Sequence, residues 1–186
     1  MRRLIAATSI ALTCALAPVL TLAATAGAAS IRMHDPVGDD ATGRGHGDIK
    51  WMRARYGAHR LSITIKAAKS GDVEFFQDIY VDTRRAERRP DLMISTNGDW
   101  EGWEVGFVSG WQRQHWHERC AGRPGSADYD YPHHLLRFSL PRTCLRHRGA
   151  VQPKRIRLSL VTRTEWGAAY DWVPAQRGFG RWLHWK

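Results

Sequence analysis

Three segments of the sequence alternate apolar and polar residues with a period of two. Leu61, Ile63 and Ile65 share one face. Leu136, Phe138 and Leu140 do the same ahead of Pro141, and Ile156, Leu158 and Leu160 oppose Arg155, Arg157 and Ser159. Successive side chains of a strand point to opposite faces, so each segment can bury only one of them. A chain built from such segments has to lay one sheet against another. Phe75–Val81, Leu92–Ser95 and Trp100–Val108 read as further strands. The breaks between them carry turn chemistry. Asn97-Gly98 accepts the positive φ of a tight hairpin turn, and Gly57-Ala58-His59-Arg60 suits another turn. No amphipathic helix exceeds about two turns, and no segment repeats. The fold expected is all-β: an antiparallel, jelly-roll-like β-sandwich of eight or nine strands.

The first 28 residues read as something other than fold. Met1-Arg2-Arg3 is basic, Leu4–Leu22 is apolar and uncharged, and Ala24–Ala29 supplies small residues around a cleavage point. That is the pattern of a secretory signal peptide cleaved after Ala28, which leaves 29–186 as one domain. The apolar run approaches membrane-spanning length, so a retained anchor is the alternative. Two cysteines remain, Cys120 and Cys144. In an exported chain an even number favours a disulfide, and two candidates allow only one pairing. Closing a loop of that size contributes about 3 kcal/mol in chain-entropy terms. The expected location is secreted, with no membrane span after cleavage.

The formal net charge is +10. Such a surplus attracts anionic surfaces, cell-wall polymers among them. It is not an argument for nucleic acid, because no nucleic-acid-binding motif accompanies it. Of the 28 basic residues 23 are Arg, a skew expected from GC-rich coding.

Against this basic background, residues 34–51, HDPVGDDATGRGHGDIKW, gather Asp35, Asp39, Asp40 and Asp48 among four glycines. Calcium takes several oxygen ligands from a backbone able to fold around it. Asp35, Asp39 and Asp48 could converge on one ion, with Gly38, Gly43, Gly45 and Gly47 letting the chain wrap. The spacing is not that of an EF-hand, since Val37 stands where its second ligand would be. A solvated acidic loop is the plainer reading, because Asp and Gly form turns readily. Asp171, in Tyr170-Asp171-Trp172, would complete the set if the terminal strands met.

Asp35-Pro36-x-Gly38-Asp39, followed by Gly47-Asp48-Ile49 and a strand, resembles the opening of sandwich domains related to carbohydrate-binding module family nine and the DOMON-like folds. The signal peptide, Val81-Asp82-Thr83, Pro90-Asp91 and Tyr170-Asp171-Trp172 are similar to features of small uncharacterised secreted proteins of actinobacteria. The resemblance implies a structural calcium in the N-terminal acidic loop. The sugar-clamping tryptophans of the family have no counterpart that can be placed on this sequence.

All nine Trp residues follow the leader. Most are expected in the core, with Trp51 and Trp103 on inward faces. Trp100, Trp111 and Trp116 lie among polar residues and are the candidates for a ligand surface, since a sugar stacks on a flat ring beside hydrogen-bonding groups. His115 and His117, with His133 and His134 nearby in sequence, could hold a transition metal, though exposed or packed histidines are the default. Asp78, Tyr80 and Asp82 share a strand face expected to meet solvent or the acidic site, with Asp82 and Asp91 pairing with Arg84–Arg89. No G-x-S-x-G elbow, H-E-x-x-H or phosphate-cradling loop occurs. The function expected is non-catalytic binding of an extracellular glycan or anionic cell-wall polymer, stiffened by calcium. A structural or protein-interaction module is the alternative, and a hydrolase comes third.

Overall fold

The computed structural model describes residues 27–39, 47–69, 76–84, 89–96, 103–111, 120, 127–146, 151–163 and 169–185. The apolar run Leu4–Leu22, expected to belong to a signal peptide, lies outside these residues. Among them no helix is long and apolar enough to cross a membrane. The elements are strands: β1 (Ala29–His34), β2 (Ile49–Tyr56), β3 (Arg60–Ala67), β4 (Phe76–Asp82), β5 (Leu92–Thr96), β6 (Trp103–Phe107), β7 (Ala127–Asp130), β8 (Leu135–Pro141), β9 (Arg155–Arg163), β10 (Ala169–Val173) and β11 (Leu183–His184). One sheet runs β1-β2-β3-β8-β7 and the other β10-β9-β4-β5-β6, with β11 on the edge of β9. Every pairing is antiparallel.

The two sheets face each other across a core built from the period-2 positions. Met52, Ala54 and Tyr56 of β2 meet Leu61, Ile63 and Ile65 of β3 and Leu136, Phe138 and Leu140 of β8. Opposite them stand Ile79 and Val81 of β4, Ile94 of β5, Val105 of β6 and Ile156, Leu158 and Leu160 of β9. This cluster holds 25 buried side chains. At about 1.5–3 kcal/mol for each large one, burial outweighs any single ionic contact in the molecule. The sandwich therefore rests on its core, and polar sites can only adjust it locally.

The sequence reading needs correction in three places. Among the described residues eleven strands are present rather than eight or nine, because β7 and β11 are short and β1 offers only Ile31 and Met33 as apolar positions. The β5–β6 hairpin pairs Thr96 with Trp103, a register that a tight turn centred on Asn97-Gly98 would not give, and Asn97-Gly98 is outside the described residues. Trp51 faces outward: Met52, Ala54 and Tyr56 take the core face of β2, and Trp51 shares the other face with Arg53 and Arg55. Trp103 is in the core, as expected. The Cys120–Cys144 disulfide is formed, closing a sequence separation of 24.

After β10 the chain turns back along β9, where Gly180 N–H donates to the Leu158 carbonyl at 3.0 Å and Trp185 N–H to that of Lys154 at 2.9 Å. Gly180 is pressed against β1: a Cβ there would come within 2.3 Å of Met33 Sδ and 3.2 Å of Ile31 Cδ1. Gly180→Ala should cost about 1–3 kcal/mol by overpacking. Chemical denaturation should show it, whereas Gly38→Ala, which meets no neighbouring atom, can only suffer from its backbone angle.

Candidate metal centre

Asp35 lies one residue past β1 and Asp48 one residue before β2. The β1–β2 ladder continues to them through Asp35 N–H and the Lys50 carbonyl at 3.1 Å, which sets both carboxyls at the same end of the sheet. The turn carrying Asp39 folds back over this end. Gly38 takes φ +93°, and its N–H donates to Asp48 Oδ2 at 2.8 Å. Gly47 takes φ +73°, again a conformation that side chains other than glycine resist. Gly43 and Gly45 are outside the described residues.

Asp171 comes from the other sheet. It sits in the middle of β10, beside the irregularity that shifts the β10–β9 register between Ala169 and Asp171. Its Oδ2 accepts the N–H of Ile49 at 2.7 Å and its Oδ1 that of Trp172 at 2.7 Å. Thr162 of β9 adds a second tie, donating to the Gly47 carbonyl at 2.7 Å. These contacts draw the start of β2 to the rim of the opposite sheet. They also bring Asp171 to the three carboxyls named from the N-terminal turn.

Asp35, Asp39, Asp48 and Asp171 each present one carboxylate oxygen, and the four oxygens lie within 4.8 Å of one another. Asp48 and Asp171 are buried, Asp35 is 9% exposed, and Asp39 is open to solvent. Among the described residues no hydrogen-bond donor reaches the buried Oδ2 of Asp35. Burial first, then the charge of Asp171, push the Asp35 carboxyl up to about 8, with Asp39 and Asp48 adding to the effect. Burial also raises Asp171, against the lowering effect of the Ile49 and Trp172 N–H groups.

Crowded carboxylates can lower their energy in two ways. They can take up a proton, or they can share a cation. Carboxylate oxygens within 4.8 Å of one another are close enough to share one hard cation. An all-oxygen set also disfavours zinc and copper, which prefer nitrogen and sulfur.

The other candidates are placed differently. Trp111 is half-buried and packs its ring at 5.2 Å from Tyr80, 5.7 Å from Trp172 and 4.8 Å from Phe179. Trp100, Trp116, His115 and His117 lie outside the described residues. His133 binds Asp130 at 2.7 Å, and His134 Nδ1 lies 3.3 Å from the Ala68 carbonyl, so neither aims at a common centre. Asp78 and Asp82 do not face solvent and do not join the acidic cluster. They are buried on the outer side of β4, Asp78 against Arg163 at 2.7 Å and Asp82 against Arg157 at 2.6 Å. Asp91 does pair with Arg84, at 3.3 Å. Trp172 was not singled out by sequence, although it stacks on Tyr80 with centroids 6.0 Å apart. Its adjacency to Asp171 was the available signal.

The sign of the pH dependence follows from Asp35. Its folded value lies above the ordinary 3.8, so without metal its contribution is greatest below about 4 and is lost as pH rises towards 8. In EDTA, thermal melts should show the wild type losing stability over that window relative to Asp35→Asn. A difference between the two that is flat with pH would show the cluster to be already neutralised.

No protein-family model matches the chain, and no curated protein matches it, so what this cluster does is read from its own atoms.

Proposed function

We propose that this chain is a calcium-stapled β-sandwich that works outside the cytoplasm as a non-catalytic binding module for an extracellular glycan or anionic cell-wall polymer. The observation that carries it is the set of four carboxylate oxygens drawn from both sheets into one 4.8 Å cluster. Three of those residues are held by burial, so their mutual repulsion cannot be relieved by swinging into water. A divalent cation would compensate them all and would supply a partner for Asp35 Oδ2. With one ligand exposed and the core already intact, the ion would be a staple rather than a condition of folding. Millimolar to submillimolar affinity, as in extracellular modules, is then sufficient.

The resemblance of the opening motif to carbohydrate-binding sandwich domains supports the binding half of this reading. So do Trp111 and Trp172, two partly accessible indoles packed edge to face on the outer face of the second sheet. A ring bordered by polar groups is what a sugar face stacks on.

Calcium should raise the melting temperature. Ligand at 100 times its Kd contributes about 2.7 kcal/mol, and a domain of this size shifts by about 2–4 °C per kcal/mol. A rise of about 5–10 °C over EDTA is expected, with magnesium giving much less. Asp39→Asn is the informative variant, because an exposed side chain has little to lose in folding. It should melt like the wild type in EDTA and lose most of the calcium shift. Equal melting of the wild type with and without calcium overturns the staple. For the binding half, native gels containing soluble neutral or acidic polysaccharides should retard the protein, and no retardation by any of them overturns it.

A further inference from the structure

The four strands β1, β2, β3 and β8 contain no Asp or Glu, yet they carry Arg32, Lys50, Arg53, Arg55, Arg60, Lys66 and Arg137. All but Lys50, which sits at the register irregularity of β2, stand on the outer face of the five-stranded sheet, because the apolar residues between them fill the core. The register arranges them in rows. Arg32 lies opposite Arg53, Arg53 opposite Thr64, and Thr64 opposite Arg137. The next row reads Ser30, Arg55, Ser62, Ser139.

Apart from Arg137, this charge has no carboxylate partner among the described residues. Arg53 and Arg55 are exposed, and among the described residues neither has an ion-pair partner. Arg32 lies 4.1 Å over the Trp51 ring, Arg60 donates to Ser139 at 2.7 Å, and Lys66 donates to the His133 carbonyl, all neutral groups. The carboxylates on this face, Asp128 and Asp130, are on the edge strand β7 and both bind Arg137. Like charges placed directly across two strands are destabilising. Biased coding would enrich arginine everywhere, but the second sheet pairs Arg157 and Arg163 with buried aspartates. On the first sheet Arg53 and Arg55 sit side by side in neighbouring rows with no such partner among the described residues.

We propose that this outer face, centred on Arg32, Arg53 and Arg55, is the docking surface for an acidic polysaccharide. The proposal rests on the reading of the chain as an extracellular binding module and assigns that module its polymer class and its surface. Hydroxyls of Ser30, Ser62, Thr64 and Ser139 lie between the cations, where they can hydrogen-bond sugar hydroxyls while the guanidinium groups take sulfate, carboxylate or phosphate. A lipid surface fits less well: the exposed large apolar residues among those described are Val37 and Val151, and neither is on these strands. Nucleic acid also fits less well, because Trp51 is capped by Arg32 and offers no open ring for a base.

The test is binding to dextran sulfate, with neutral dextran, phosphatidylglycerol vesicles and duplex DNA as comparisons. The full protein should bind dextran sulfate at 0.15 M salt and not neutral dextran. Arg53→Ser with Arg55→Ser should weaken binding at least tenfold at unchanged or slightly raised melting temperature. Arg146→Ser with Lys154→Ser removes the same charge from exposed sites off this face and should change binding less than twofold. Equal loss in both double variants reduces the effect to net charge and overturns the proposal. So does binding to DNA or vesicles as tight as to dextran sulfate. Retardation by polysaccharide that survives Arg53→Ser/Arg55→Ser places the site elsewhere and leaves the binding-module reading standing. Absence of binding to every polysaccharide removes both.

Discussion

The Asp171 carboxylate is a point at which the two sheets are joined through polar atoms. It belongs to β10 yet accepts the N–H of Ile49, the first residue of β2 in the other sheet. That bond spans 122 positions of sequence. It is buried, so it forms in a low-dielectric setting where an unmade partner is costly. With Thr162 holding the Gly47 carbonyl, it fixes where β2 begins. Asp35 and Asp48 are thereby set at one end of the sheet, and with Asp39 three further carboxyls are delivered to the same spot.

This arrangement separates two kinds of stability. The apolar core is large and independent of charge, so the sandwich stands without help from its rim. The rim is a place of local tension, where burial and mutual repulsion hold Asp35 well above the usual carboxylate range. Such tension is removed by whatever neutralises it. A proton would serve, and so would the calcium ion proposed above, so the two would compete for one feature of the molecule.

The two outer faces handle charge in opposite ways. On the second sheet, Asp78 and Asp82 are sealed against Arg163 and Arg157, with Tyr80, Trp111, Trp172 and Phe179 packed around them. Arg157 is further stacked at 4.7 Å from Phe179 and 4.8 Å from Trp182. There the cations are structural. On the first sheet Arg53 and Arg55 stand in water with no carboxylate partner among the described residues, and Arg32 is supported by an aromatic ring, while Arg137 at the edge is ion-paired. A basic net charge is thus an average over two surfaces with different chemistry.

Much of the sandwich could be read from local pattern. The alternation of Leu61, Ile63 and Ile65 places those side chains inward because a strand has only two faces, and the Cys120–Cys144 bond is the pairing expected from the sequence. Asp35, Asp39 and Asp48 were legible as a group because they sit within one short glycine-rich stretch. The short edge strands were not, since β1 offers just Ile31 and Met33 as a signal and gains its ladder from β2. Trp51 could have been placed correctly: the arginines at alternate positions after it mark its face as the outer one. What local sequence could not decide is anything that depends on which strands become neighbours. Asp171 reaches the acidic turn because β10 closes on the rim of β2, and Arg53 lacks a carboxylate because β1 and β3, both free of acid, flank it. Strand order is set by packing of the whole core, so the partner of each charge is a tertiary outcome even when the charge itself is plain in the chain.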